Sequence, residues 1–415
     1  MNNDMPLLSP VRIGTKTAAN RIAINAMECC DADTNGNPTH TAFRRYERLA
    51  RGNAGVIVVE ALSVIDENRG RLHQLTALPQ NQKGLTDLVA AMRTANPKPI
   101  ILWQLTHSGE LSNPEFSERV CVKPFPGYEG RLLSEEEVDG ILDRFVFAAK
   151  MAHDCGADGV DFKLCHGYLG TQLLRPFNDR KWKYGGSWGN RTRFAYEFYE
   201  RVSKEINDPG FIVGSKITMW EGVPGGMGCA GPDTPIMDLA EVLDLVKGLE
   251  ARGAAYIIES AGNPSLTLSL VQAYKNVPET SYLHFGFQKQ LRSVLKPQTV
   301  VIGSNNSVYK NGKNTFRGVK PEEASLVYWG NKNIREGVCD MVAIGRQSLA
   351  DPLLPSKLEQ GKDAEIHWCT VCDNCIEFLI RQVPVGCSTY EREYTLELKG
   401  LRKEKGALAE SEKHT

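Results

Sequence analysis

Residues 159–194 read GVDFKLCHGYLGTQLLRPFNDRKWKYGGSWGNRTRF. The stretch opens as a short apolar strand and passes into a loop carrying Lys163, His166 and Tyr168. It then runs through the glycine turn YGGS into a basic, aromatic helix start. A polar cluster directly after a buried strand is the pattern of a parallel barrel, where strand ends and their loops converge on one open mouth. Working outward, short apolar runs predict strands at 21–26, 56–60, 100–105, 159–162, 211–217, 256–259, 299–303 and 341–344. Helical periodicity separates them. In 134–155, Ser134 and Glu137 stand in capping-box spacing, followed by Val138, Ile141, Leu142, Phe145, Ala148 and Ala149 on one face. Eight strands alternating with helices predict a (β/α)8 TIM barrel; an open doubly wound sheet shares the alternation and is the alternative. Loops 109–133 and 221–235, rich in Pro and Gly, are expected to wall a pocket.

The chain has 415 residues, 41% hydrophobic and 24% charged, with a formal net charge of −1. That balance argues against nucleic acid or a membrane surface as principal partner and leaves a small-molecule substrate. The start, MNNDMPLLSPVRIG, has no basic region followed by an apolar run, and no later stretch approaches the apolar length of a membrane span, so a cytoplasmic protein is expected. Such a setting favours metal binding, redox work or burial for the 11 cysteines over a disulfide framework.

Four of them, Cys369, Cys372, Cys375 and Cys387, form C-x2-C-x2-C-x11-C, a spacing that can converge on an iron-sulfur cluster or on zinc. The expected organisation is a barrel over 1–365, a C-terminal cysteine-cluster extension over 366–390 and a charge-rich, mobile tail over 391–415.

His166-Gly167-Tyr168-Leu169, Gln172-Leu173-Leu174, Pro176, Asn178, Arg180, Tyr184-Gly185-Gly186-Ser187, Asn190-Arg191 and Arg193-Phe194 resemble the signature of the old yellow enzyme family of FMN-dependent ene-reductases. The resemblance implies FMN lying across the carboxyl ends of the strands. It places Ala26, Met27 and Glu28 beneath the flavin ring, Gln104 of WQLTHSG at the pyrimidine edge, and Lys216 near N1 and O2. The phosphate falls to Gly303, Ser304, Asn305, Gly345 and Arg346. The chain departs from the family pattern at Glu28, Glu110, Lys163, Gly189 and Lys216, where Thr or Cys, Arg, His, Glu and Arg are usual. The cysteine segment resembles the four-iron four-sulfur (4Fe-4S) site of the trimethylamine dehydrogenase and 2,4-dienoyl-CoA reductase branch. That branch continues into an FAD/NAD region; no GxGxxG follows Cys387, and the region is expected to be absent. Electrons would then come from a separate electron-transfer protein, or from NAD(P)H acting on FMN directly beside a structural cluster.

The function so implied is reduction of an activated C=C bond of enone or enoate type. Hydride comes from flavin N5, His166 and Lys163 act as a cationic pair on the substrate oxygen, and Tyr168 delivers a proton. One alternative is oxidation of a small N-methylated amine in a cage drawn from Trp103, Tyr168, Trp182, Trp188 and Trp220. Another is an inactive barrel serving as an electron-transfer or scaffold subunit; a homo-oligomer stays open. The residues also admit plainer roles: Tyr168 as a packed aromatic, Lys163 as a structural ion-pair partner, Lys216 as a surface lysine, Gln104 as a core amide, Cys29 and Cys30 as small buried groups. His284 is set aside as a core or surface histidine.

Overall fold

Eight parallel strands close into a barrel in the computed structural model, which describes residues 5–272, 279–307, 320 and 323–411, with side chains to 404. They are β1 (Ile22–Ile24), β2 (Val56–Ser63), β3 (Ile100–Thr106), β4 (Gly159–Leu164), β5 (Ile212–Thr218), β6 (Tyr256–Ser260), β7 (Val300–Gly303) and β8 (Met341–Ile344). Each pairs with its sequence neighbours, and β8 closes on β1 through Val342–Ile22, Ala343–Ala23 and Ile344–Ile24. The open-sheet alternative is thereby excluded.

The outer ring includes α1 (His40–Arg51), α2 (Gln82–Ala95), α3 (Glu135–Asp154), α4 (Trp188–Ile206), α5 (Ala240–Ala251), α6 (Glu279–Val294), α7 (Leu326–Arg335) and α8 (Leu354–Glu359). Helix α3 starts where the capping-box spacing puts it. Ser134 Oγ accepts from the Glu137 amide, and the Glu137 side chain accepts from the Ser134 amide. Where α3 and α4 meet β4, Phe162 stacks on Phe198 with centroids 4.0 Å apart, and Phe145 meets both edge-on.

Side chains alternate in and out along each strand, which separates two cores. Inward residues such as Val58, Leu102, Ile258, Ile302 and Met341 fill the barrel, and Ile13 and Ala18 of a short amino-terminal hairpin pack against that same cluster. Continuing the inward parity toward the carboxyl ends gives Gln104, Asp161, Lys163 and Lys216. The step from apolar to polar side chains marks where the packed interior ends and the site begins.

Several strands differ from their predicted extents. β1 is shorter, because its ladder ends where residues 25–29 leave the wall. β2 runs to Ser63 through a register shift between Val59 and Leu62. The larger correction concerns the charged tail. Residues Arg392–Ser411 form a helix, α10, that follows α9 (Asn374–Ile380). Its Tyr394 and Leu398 pack against Phe378, Val385 and Cys29, while Arg402 binds Glu377 at 2.8 Å. An apolar stripe spaced every three or four residues within the charged sequence supplies the packing that composition conceals. Residues 412–415 of the expected tail lie outside the described residues.

Gly214 on β5 faces the barrel interior against the Tyr256 ring, where a Cβ would stand 2.4 Å from Cζ. Tyr256 donates from its hydroxyl to the Val160 carbonyl at 2.9 Å, so the ring has nowhere to retreat. Gly214→Val should therefore cost about 3 kcal/mol by overpacking, read as a lower urea midpoint; an unchanged midpoint would contradict this packing.

Candidate active site

Residues 25–29 leave β1 at the barrel mouth, and successive positions reach different parts of it. The Asn25 amide donates to the Ile344 carbonyl at 2.8 Å, and its side chain reaches Ser304 Oγ at 3.5 Å. Ala26 packs on the barrel interior. The Met27 thioether lies against Gly345, where a Cβ would be 3.0 Å from the sulfur. Glu28 turns toward β4. The Cys29 amide donates to Glu60 at 2.6 Å, and its carbonyl accepts from Val385 at 2.8 Å.

Glu28 Oε1 accepts from Lys163 Nζ at 3.0 Å and from the Tyr168 hydroxyl at 2.6 Å, while Oε2 lies 3.4 Å from Arg71 Nε. Lys163 Nζ also sits 3.2 Å from the Tyr168 ring centroid. Burial alone would raise the Glu28 carboxyl, but Lys163 and Arg71 outweigh it and hold it down at about 2. This contribution to stability is present above the carboxyl's ordinary value and is lost as pH falls through about 2. Burial would likewise lower Lys163, and Glu28 reverses that, so the ammonium stays charged. Tyr168 is raised above its ordinary value, first by burial and then by Glu28, which keeps the phenol protonated. Lys163 is thus an ion-pair partner and also faces the mouth.

His166 departs from the expected cationic pair. It adopts φ 63°, its amide donates to Thr218 Oγ1 at 2.8 Å, and its Nε2 lies 2.6 Å from Ser260 Oγ. Burial first, then Lys216 and Lys163, push the imidazole well below its ordinary value, so it is neutral. Burial, reinforced by the two strand-end lysines, disfavours a third cation there.

Gln104 donates from Nε2 to Asp161 Oδ2 at 2.5 Å across β3 and β4, and Lys163 is the ladder partner of Lys216 across β4 and β5. Burial raises Asp161 to about 6 against the pull of Gln104 and Lys216. Lys216 is 7% exposed and lowered by burial, and among the described residues no hydrogen bond or ion pair reaches its Nζ. It is therefore not a surface lysine.

The expected phosphate residues already have protein contacts. The Ser304 amide donates to Glu259 at 3.1 Å. The Asn305 side chain lies 2.8 Å from His284 Nε2, and Arg346 donates to Asp373 at 2.7 Å. His284 belongs to this wall. It meets Glu259 at 2.6 Å, and that carboxylate outweighs burial to hold the imidazole above its ordinary value. Gly303 packs on the Gln288 amide.

A second buried network ties the loops together. Arg175 donates to Glu221 at 2.7 and 2.8 Å and to Glu110 at 2.6 Å, with all three side chains at most 2% exposed. Glu110 thus answers a cation on the loop after β4, a pairing that sequence spacing could not reveal. The aromatic cage does not form. Trp103 and Trp182 lie in the core between barrel and helices, Trp188 donates to Asp244, and Trp220 donates to the Pro235 carbonyl.

The cysteine segment closes against the same end of the barrel. Gln347, after β8, accepts from the Cys369 amide at 2.9 Å and donates to the His367 carbonyl at 3.0 Å. Cys375 and Cys387, like Met27, pack against the apolar cluster that includes Cys29, Phe378 and Val385. Val371 and Asp373, either side of Cys372, have φ of 52° and 63°, so the loop folds back tightly on itself. Burial would raise Cys372, but the Asn374 amide and the Thr370 and Thr389 hydroxyls lower it; burial raises Cys375 to about 12. Among the described residues no three His, Cys, Asp or Glu side chains are gathered closely enough to hold a metal ion. Donors aimed at thiol sulfur on a folded-back loop nevertheless suit thiolate ligands. At the mouth, the unpartnered ammonium of Lys216 fits an electron-rich edge such as flavin N1 and O2. Among the described residues no helix is long and apolar enough to cross a membrane.

The chain matches the family described as NADH:flavin oxidoreductase / NADH oxidase over residues 6–264. It is 28% identical over 386 residues to an NADH oxidase of Thermoanaerobacter brockii, covering 89% of this chain and 53% of that protein. It is 26% identical over 428 residues to a cinnamate reductase of Clostridium sporogenes, covering 94% and 59%. The chain thus spans about half the length of these relatives. A 2-naphthoyl-CoA reductase complex superposes with a TM-score of 0.77 at 21% identity, over 94% of this chain and 57% of that one, which speaks to the fold.

Arg175→Met would leave Glu110 and Glu221 as buried, unpaired carboxylates. The expected loss is about 3–5 kcal/mol in urea unfolding, largely recovered when both glutamates are also changed to Gln; a loss that persists in the triple variant would contradict the network.

Proposed function

Because the chain belongs to the NADH:flavin oxidoreductase / NADH oxidase family, we propose that it is an FMN-dependent reductase of C=C bonds conjugated to a carbonyl or carboxyl group. The observation that carries this reading is the shared hold of Lys163 and Tyr168 on Glu28 at the barrel mouth. Bound FMN would supply hydride to the β-carbon. Gln104 and Lys216 would hold the flavin's pyrimidine side, with Ala26, Met27 and Glu28 beneath it. Gly303, Ser304, Asn305, Gly345 and Arg346 stand at the strand ends expected to face its phosphate.

The substrate oxygen gains negative charge as hydride arrives, and the Lys163 ammonium and the neutral His166 imidazole are the donors for it. Tyr168 gives its proton to the α-carbon. Its raised pKa keeps it in the donor form across the neutral range, and Lys163 and Arg71 offset the charge it leaves behind. A cationic amine suits the site less, because Lys163, Lys216 and Arg71 would all repel it. Cys369, Cys372, Cys375 and Cys387 would carry a 4Fe-4S cluster, through which a partner protein could exchange electrons, or a redox-inert zinc in the second reading; NAD(P)H acting on FMN directly is the other source.

Anaerobically purified protein should show flavin absorbance and a broad iron-sulfur shoulder, with iron and acid-labile sulfide in equal amounts. Zinc without sulfide would favour the second metal reading, and absent flavin would contradict the reductase. Tyr168→Phe should cut enone or enoate turnover about 10²–10⁴-fold with flavin content unchanged; undiminished turnover would remove Tyr168 from the proton transfer. No loss from Tyr168 ionisation is expected on the basic side below about pH 10.

A further inference from the structure

Arg71 lies on the loop after β2, outside the residues that sequence reasoning assigned to the site. Its Nε is buried with no hydrogen-bond partner, although Glu28 Oε2 stands 3.4 Å away as a looser ion pair. Among the described residues Nη1 reaches only the Gly70 carbonyl, at 3.5 Å, while the side chain is 27% exposed, so the guanidinium is sealed at its root and open at its tip. A buried cation with an unfilled donor is costly unless an anion completes it. Glu28 does not fully complete it, because its Oε2 faces only Nε, at 3.4 Å, while its Oε1 is taken by Lys163 and Tyr168.

The loop is held in place around this open tip. Arg69 donates to the Leu72 carbonyl at 3.0 Å and to the Thr34 carbonyl at 3.1 Å, and the Leu72 amide donates to Gln382 at 3.0 Å. Around Tyr168, two cations, Lys163 and Arg71, face one carboxylate, Glu28. The imbalance favours an incoming anion, and a planar guanidinium matches a carboxylate with paired donors.

We propose that Arg71 binds the carboxylate of an α,β-unsaturated carboxylic acid, so that the substrate class is the enoate anion rather than the neutral enone. This rests on the reductase reading above. In an enoate the α-carbon is bonded directly to the carboxylate. Anchoring that group beside Glu28 brings the α-carbon to the Tyr168 hydroxyl, where the proton is needed. Bound FMN would supply the hydride for the β-carbon; Tyr168 gives its proton to the α-carbon and regains one from solvent, and the saturated acid leaves with its carboxylate unchanged.

The test is calorimetric binding to the flavin-loaded protein of 3-phenylpropanoate, which cannot be reduced, against its neutral amide. The anion should bind about tenfold or more tightly than the amide. Arg71→Gln should erase that preference while leaving amide binding unchanged, and Arg71→Lys, which keeps the charge but not the fork, should retain part of it. Flavin content and thermal unfolding confirm that both variants fold. Equal binding of anion and amide, a preference that survives Arg71→Gln, or no binding of either ligand would overturn the proposal. Because no turnover is involved, the two readings fail separately: anion preference without any C=C reduction refutes the reductase, and reduction of neutral enones without anion preference refutes the subsite.

Discussion

One carboxylate with too many claimants organises the mouth of this barrel. Glu28 accepts from an ammonium and a phenol and lies beside a guanidinium, in a place where burial alone would have it protonated. A carboxylate there is tolerable only with its cations, and the cations only with it. Tyr168, Lys163 and Arg71 come from different loops or strands, so the ionic contact does what backbone ladders cannot do beyond the strand ends. It sets the positions of groups whose chain segments have already diverged.

The same stretch that carries Glu28 also joins the barrel to the cysteine segment. Met27, Cys375 and Cys387 pack against one apolar cluster that includes Cys29, and the Cys29 carbonyl takes the Val385 amide. A displacement of residues 25–29 would therefore be felt both at Tyr168 and among the thiols. The Arg175 network does comparable work at the same mouth, where one buried guanidinium bridges the loops after β3, β4 and β5. Between them these contacts make the mouth a fixed frame, which suits a reaction in which donors must stand ready before charge develops.

The barrel was legible in the chain because burial writes itself locally: eight apolar runs separated by amphipathic ones leave few alternatives, and the Ser134–Glu137 pair marked a helix start that the structure has. Lys163 and Tyr168 stood out as a polar cluster after a buried strand, whereas Gln104 and Lys216 were singled out through the family resemblance. What remained hidden was pairing over long sequence distance. Nothing in the stretch around Glu28 says that its partners lie 135 and 140 positions away, and Arg71 sits in a loop with no periodicity to flag it. His166 was expected as half of a cationic pair; its neutrality was not legible, since it is set first by burial and then by two lysines on neighbouring strands. The helix at 392–411 was missed because net polarity outweighed a sparse apolar stripe.

The claim that Glu28 unites these groups electrostatically is tested most directly by tyrosine ionisation, followed at 295 nm in an alkaline titration. Subtracting the trace of Tyr168→Phe isolates this phenol. If Glu28 binds it as described, Glu28→Gln leaves Lys163 and Arg71 unopposed, and Tyr168 ionises at clearly lower pH than in the unsubstituted protein. An ionisation that stays at the same pH would mean that the carboxylate does not govern the phenol, and the account of the site would fail.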